Sequence, residues 1–162
     1  MKGFFKGSAT ALITPFDENG VNYEVFGELI EYQIENGTDA IVVLGTTGEP
    51  STMTFDEQKA VMEYTVKKVA GRIKVIFGCG SNNTAHAVKM AQLAEKIGGD
   101  GLLAVTPYYN KCTQNGLVEY YKAICEAVSI PVIAYNVPGR TGVEIQPATY
   151  STLFIFYIDE FQ

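Results

Sequence analysis

Five short polar segments each follow an apolar run, and they hold the residue types that bind anions or move protons. Gly45-Thr46-Thr47-Gly48-Glu49 comes directly after Ala40 to Leu44. Two glycines permit tight turns that expose successive backbone N–H groups, and two threonines add hydroxyl donors. Such a loop suits a small carboxylate or phosphate, and it also reads as an ordinary Thr/Gly turn. Thr106-Pro107-Tyr108-Tyr109-Asn110-Lys111 places adjacent phenols after Gly101 to Val105. A phenol there relays a proton, or it packs with its hydroxyl in water. Tyr135 ends the next apolar run and converges on the same region. Arg140 follows in Pro138-Gly139-Arg140-Thr141-Gly142, and the chain's one other arginine is Arg72. Its planar fork matches a carboxylate, with an ion pair to Glu144 as the alternative.

Two further segments, Thr14-Pro15-Phe16 and Gly78 to Asn83, carry weaker signals. Gly78-Cys79-Gly80-Ser81-Asn82-Asn83 approaches a dinucleotide fingerprint, but Asn83 stands at the third glycine position. Asp100, the acid at about the right separation, follows a helical stretch and not a strand. The segment therefore reads as a turn with an Asn or Thr helix cap. His86 reads as a surface residue in the first helical turn, and without a second histidine it makes no zinc site. Cys79 reads as a small buried residue.

The elements that must hold these loops alternate regularly. Strands are expected at 9–14, 40–44, 73–77, 101–106 and 131–135, and helices at 23–35, 56–69, 84–97 and 117–128. The strands are unbroken apolar runs, the pattern of a parallel sheet covered on both faces. Repeated strand–helix units imply right-handed crossovers and an α/β fold. Ligand sites in such folds lie beyond the carboxyl ends of the strands, where these loops fall. Doubly wound sheets and (β/α)8 barrels both begin this way. A barrel takes about 250 residues, so length alone favours the doubly wound sheet.

Composition narrows the partners. Of 162 residues, 47% are apolar and 19% charged, which fits a folded globular chain. Net charge is −6 with no basic cluster, so neither nucleic acid nor an anionic membrane is an expected partner. The three cysteines, Cys79, Cys112 and Cys125, match no zinc or CxxC spacing, and reduced thiols in the cytoplasm are expected. The N-terminus is too quickly polar for a signal peptide, and no apolar run approaches a membrane span.

Together, the loops at 45–49, 106–110 and 135–142 resemble the 4-hydroxy-tetrahydrodipicolinate synthase (dihydrodipicolinate synthase) family, over about Phe4 to Pro147. N-acetylneuraminate lyases and keto-deoxy-sugar aldolases share a looser Gly-x-x-Gly-Glu but not the full Tyr-Asn-Val-Pro-Gly-Arg-Thr-Gly. The resemblance implies a TIM barrel, of which this chain would supply about five N-terminal βα units, and so overrides the preference from length. It implies a Schiff-base lyase that condenses pyruvate with aspartate semialdehyde for lysine and diaminopimelate biosynthesis, with no cofactor or metal. It assigns the pyruvate carboxylate to Thr47 and Gly48, a proton relay to Tyr135, Thr46 and Tyr109, and the second carboxylate to Arg140. It further implies a homo-oligomer in which Tyr109 crosses a subunit interface.

The resemblance divides the chain into a barrel-like part, 1–147, and a divergent apolar tail, 148–162. The family continues with a helix and a strand ending in Gly-x-Lys. Here the tail is dense in aromatic and β-branched residues, weakly helical and prone to β aggregation. No lysine follows Lys122. The chain is thus expected to be truncated before the imine-forming lysine, to be inactive, and to keep open sheet edges. A non-catalytic carboxylate-binding or subunit-docking module is the alternative. Lys111 is the one lysine expected on the loop face, and a solvated lysine is protonated at neutral pH and a poor nucleophile.

Overall fold

The computed structural model describes residues 6–156. A five-stranded parallel sheet runs in the order β1 (Ala9–Ala11), β4 (Ala40–Val43), β5 (Lys74–Gly78), β6 (Gly101–Val105), β7 (Val132–Tyr135). A small antiparallel hairpin, β2 (Phe16–Asp17) with β3 (Gly20–Val21), interrupts the first crossover. Helices α1 (Tyr23–Glu35), α2 (Phe55–Val69), α3 (Thr84–Ile97) and α4 (Gln114–Cys125) connect the strands. A short helix, α5 (Pro138–Thr141), and a longer one, α6 (Pro147–Phe156), follow.

The strand order corrects the length argument. Each new strand adds beside the last, always at the same edge. A doubly wound sheet reverses its order at a switch point, whereas a barrel does not. The two faces differ accordingly. Ile41, Val43, Val75, Phe77 and Leu102 join Phe26, Ile30, Met62, Met90, Leu117 and Tyr121 in one core beneath the helices. Ala40, Val42 and Ile76, with Leu103 and Ile133, form a second cluster on the opposite face. Coverage on both faces was expected, but among the described residues that second face has no helix. Alternation of side chains along the strands gives it the residues of a barrel interior.

Caps explain the helix limits. Asn22, Thr54, Asn83 and Thr113 each accept an N–H from the first turn of α1, α2, α3 and α4. At Thr54, Glu57 completes a reciprocal capping box. Thr113 starts α4 three residues before the expected Leu117, because its hydroxyl accepts from Gly116 N–H at 3.1 Å. The expected cap at Asn83 is present, and Asp100 binds Lys74 and Val75 N–H at the far end of the sheet from the loops.

The tail differs from its expected weak helicity. Pro147 opens α6, and the Thr149 and Tyr150 amides donate back to Gln146 O at 2.9 and 3.0 Å. Thr149 Oγ1 donates to Gln114 Oε1 at 2.6 Å, and Leu153 is fully buried. Tertiary packing on α4 thus outweighs β propensity. Lys2, Phe4 and the tail positions 157–162 lie outside the described residues. No helix among the described residues is long and apolar enough to cross a membrane.

Candidate active site

A cavity of about 490 Å³ opens at the carboxyl ends of the strands. Its wall includes Gly45, Thr46, Tyr108, Tyr135 and Arg140, drawn from three of the loops that the sequence singled out. Tyr135 faces it because side chains alternate. Ile133 and Tyr135 lie on the interior face of β7, as Leu103 and Val105 do on β6.

The Gly45 loop forms a 3-10 turn, Thr46–Gly48. No partner for the Thr46 or Thr47 amide is present among the described residues. Thr14, from the loop after β1, fixes the turn by donating to Gly48 O at 2.7 Å. Gly48 is buried, while Thr46 and Thr47 are exposed. Leu44 and Glu49 flank the turn with φ of +58° and +54°. Tyr109 and Lys111 also have positive φ, so four of the five such non-glycine residues described lie in these loops. Strain of this kind persists where the surrounding structure holds it for function.

The loop after β7 is braced from within. Asn136 Oδ1 accepts from Ile145 N–H at 3.1 Å, and Thr141 Oγ1 donates to Val143 O at 2.9 Å. Pro138 begins α5, and Gly142 ends it at φ +70°. This frame presents Arg140, which is exposed and makes no ion pair among the described residues, so the alternative pairing with Glu144 is absent. Among the described residues, Arg140 is the one Lys or Arg that lines the cavity, and no Asp or Glu lines it. In a chain of net charge −6, that is a local field for an anion.

Other residues fall outside the cavity or enter it unforeseen. Thr47 does not line it, nor does Tyr109, which is 89% exposed. Lys111 is exposed beside Gly142 and does not line it either. His86 is on the surface as expected, yet it forms part of the cavity wall with Ser81. His86 was not legible beforehand, whereas Ser81 belongs to the Gly78–Asn83 loop already marked at a strand end, although that loop was read as a helix-capping turn. Cys79 is 3% exposed, and burial pushes its thiol up to about 12. Thr14, Asn136 and Thr141 were missed as bracing residues, although all three lie in loops marked as strand ends.

A sheet that grows in one direction, with helices on one face and a cavity beyond its strand ends, is the N-terminal part of a (β/α)8 barrel. Comparison with known proteins makes this specific. Residues 4–157 match the dihydrodipicolinate synthetase family. The 4-hydroxy-tetrahydrodipicolinate synthase of Acetivibrio thermocellus is 57% identical over 152 residues, covering 94% of this chain and 52% of that protein. The solved dihydrodipicolinate synthase of Aquifex aeolicus superposes with a TM-score of 0.92 at 53% identity, covering 94% of this chain and 52% of that one. The Acinetobacter baumannii enzyme, solved as a chloride-inhibited form complexed with pyruvate, gives 0.91 at 43% identity, with 95% and 53% covered. The chain belongs to the dihydrodipicolinate synthetase family. It spans about half the length of these relatives. The family match extends ten residues past Pro147, through all of α6.

Proposed function

We propose that this chain forms the substrate-recognition half of a pyruvate-condensing Schiff-base lyase that makes 4-hydroxy-tetrahydrodipicolinate from pyruvate and aspartate semialdehyde. The observation that carries the reading is that the cavity wall includes Thr46, Tyr108, Tyr135 and Arg140 and, among the described residues, no acid. In this reading Thr47 and Gly48 hold the pyruvate carboxylate through the Gly45–Glu49 turn. Thr46 and Tyr135 pass protons to and from the carbinolamine oxygen, with Tyr109 of a neighbouring copy completing the relay. Arg140 meets the carboxylate of aspartate semialdehyde as a bidentate partner. Solvent exposure of Tyr109 and its strained backbone support its use between copies in a homo-oligomer. The pyruvate complex of the Acinetobacter baumannii relative supports the choice of ketoacid.

Imine formation needs an unprotonated amine beside the ketone. None of the described lysines lines the cavity. Residues 1–162 on their own are therefore read as binding pyruvate without forming the imine, and as inactive. Residues 148–162 are read as a tail that contributes no catalytic group. Pyruvate titration by NMR, followed by borohydride trapping and intact mass, tests both halves of the reading. Expected is reversible binding on the order of millimolar with no added mass. No binding would remove the carboxylate site, and a stoichiometric adduct on Lys111 would overturn the inactivity.

A further inference from the structure

The ladder between β5 and β6 ends in an unusual way. It pairs Ile76 with Gly101, Phe77 with Leu102 and Gly78 with Leu103, and Cys79 N–H then donates to Leu103 O at 3.1 Å. Bonds in a parallel ladder recur every second residue, so the next would run from Ser81 N–H to Val105 O. The Tyr120 hydroxyl stands in its place. It accepts from Ser81 N–H at 3.0 Å and donates to Val105 O at 3.1 Å. One residue earlier the backbones nearly touch, for a Cβ on Gly80 would lie 2.4 Å from Val105 N. The strands therefore close at Gly80 and part at Ser81.

Ser81 and Val105 both line the cavity, while Tyr120 reaches their polar atoms from α4 and does not line it. Tyr120 is 3% exposed, and desolvation raises its phenol above the ordinary value, which keeps the donor proton in place at neutral pH. Its neighbour Tyr121 provides a natural contrast. That hydroxyl donates to Ala104 O at 3.0 Å and is also buried, and Ala104 is not among the residues that line the cavity.

We propose that Tyr120 is a positioning residue: its phenol replaces one ladder bond, wedges the ends of β5 and β6 apart, and so sets the width of the pyruvate cavity. The role depends on the cavity being the pyruvate site. The test compares Tyr120→Phe with Tyr121→Phe in the full chain, by crystal structure and pyruvate titration. Both variants lose a buried hydroxyl and comparable thermal stability. In Tyr120→Phe, Ser81 N and Val105 O are expected to close to direct hydrogen-bond distance and pyruvate affinity to fall about tenfold. Tyr121→Phe should keep its affinity within about twofold. An unchanged Ser81–Val105 spacing, or an unchanged affinity in Tyr120→Phe, overturns the proposal. If the unsubstituted chain binds no pyruvate, the functional reading fails and the spacing alone decides this one. If Tyr120→Phe does not fold, hydrogen exchange in the unsubstituted chain decides. Protection of the Ser81 amide equal to that of β5 supports the wedge, and free exchange refutes it.

Discussion

Replacing Gly78 with alanine adds one methyl group at the junction of fold and site. The new Cβ would lie 1.9 Å from Leu44 O, 2.5 Å from Leu44 C and 2.9 Å from Gly45 N. All three are backbone atoms, so no side chain can swing aside. Leu44 is 2% exposed and already holds φ at +58°, which leaves the end of β4 little freedom to yield. Relief requires β4 and β5 to separate by well over an ångström where they carry the Gly45 turn. Overpacking a core costs about 1–3 kcal/mol, and a backbone clash belongs at the upper end, about 3 kcal/mol. For a chain of this length each kcal/mol moves Tm by about 2–4 °C, so Gly78→Ala should melt about 6–12 °C lower. Gly139→Ala is the control, because nothing lies within 4 Å of its Cβ and no positive φ is recorded there. That variant should stay within about 0.5 kcal/mol of the parent. Thermal melts by circular dichroism decide it, with pyruvate titration beside them. A Gly78→Ala protein that melts with Gly139→Ala would refute the close approach of β4 and β5, and with it the placement of the turn.

Four further outcomes are expected. Thr106 is fully buried and its hydroxyl has no partner among the described residues, so Thr106→Val should leave the urea midpoint equal or raise stability by up to about 1 kcal/mol; a clear loss would show that the hydroxyl is bonded after all. Arg140→Ala should weaken aspartate semialdehyde binding by about tenfold or more yet leave Tm unchanged, since the guanidinium is exposed and unpaired among the described residues; equal affinity would remove Arg140 from the site. Arg72 and Lys68 bond to Glu31 and hold its carboxyl down to about 2, below its unfolded value of 4.5. Their stabilisation is therefore present above 4.5 and lost as pH falls towards 2, so the deficit of Glu31→Gln in urea melts should shrink to nothing over that window and not grow. Burial holds the Cys79 thiol at about 12, so thiol reagents at about pH 8 should spare it until the chain unfolds; early labelling mapped to Cys79 would contradict its burial.

Much of the fold was legible because its signals are local. Ala40 to Val43 is an unbroken apolar run, and every residue of it is buried. The caps Asn83 and Thr54 sit where polar residues precede helical periodicity. The limits were set by contacts between distant segments. Nothing in 117–128 states that Thr113 caps the helix four residues upstream. The tail's β propensity was a fair local reading, and it lost to a partner that local reading omits. Gln114 bonds Gln146 N–H, Thr149 Oγ1 and Glu144 O, and those bonds anchor the start of α6 against α4. Barrel or open sheet was likewise undecidable from period alone, because both use the same strand–helix unit. Strand order settled it.

The site divides along the same line. Thr46, Tyr135 and Arg140 were readable since each follows a strand, and the strand ends of a parallel sheet converge whatever the chain between them does. Residues that shape the cavity without facing it left no such trace. Tyr120 and Tyr121 are adjacent, equally aromatic and both buried, so composition and periodicity treat them alike. One hydroxyl meets Val105 O and the other Ala104 O, a difference of a single residue along β6. In a strand, that single step turns the carbonyl from the neighbour on one side, β5, to the neighbour on the other, β7. Val105 lines the cavity and Ala104 does not, so only the Tyr120 phenol bonds a residue of its wall. The cavity's hydroxyls and its arginine thus come from strand ends and the loops after them, while the bond that ends the β5–β6 ladder comes from the helix layer behind.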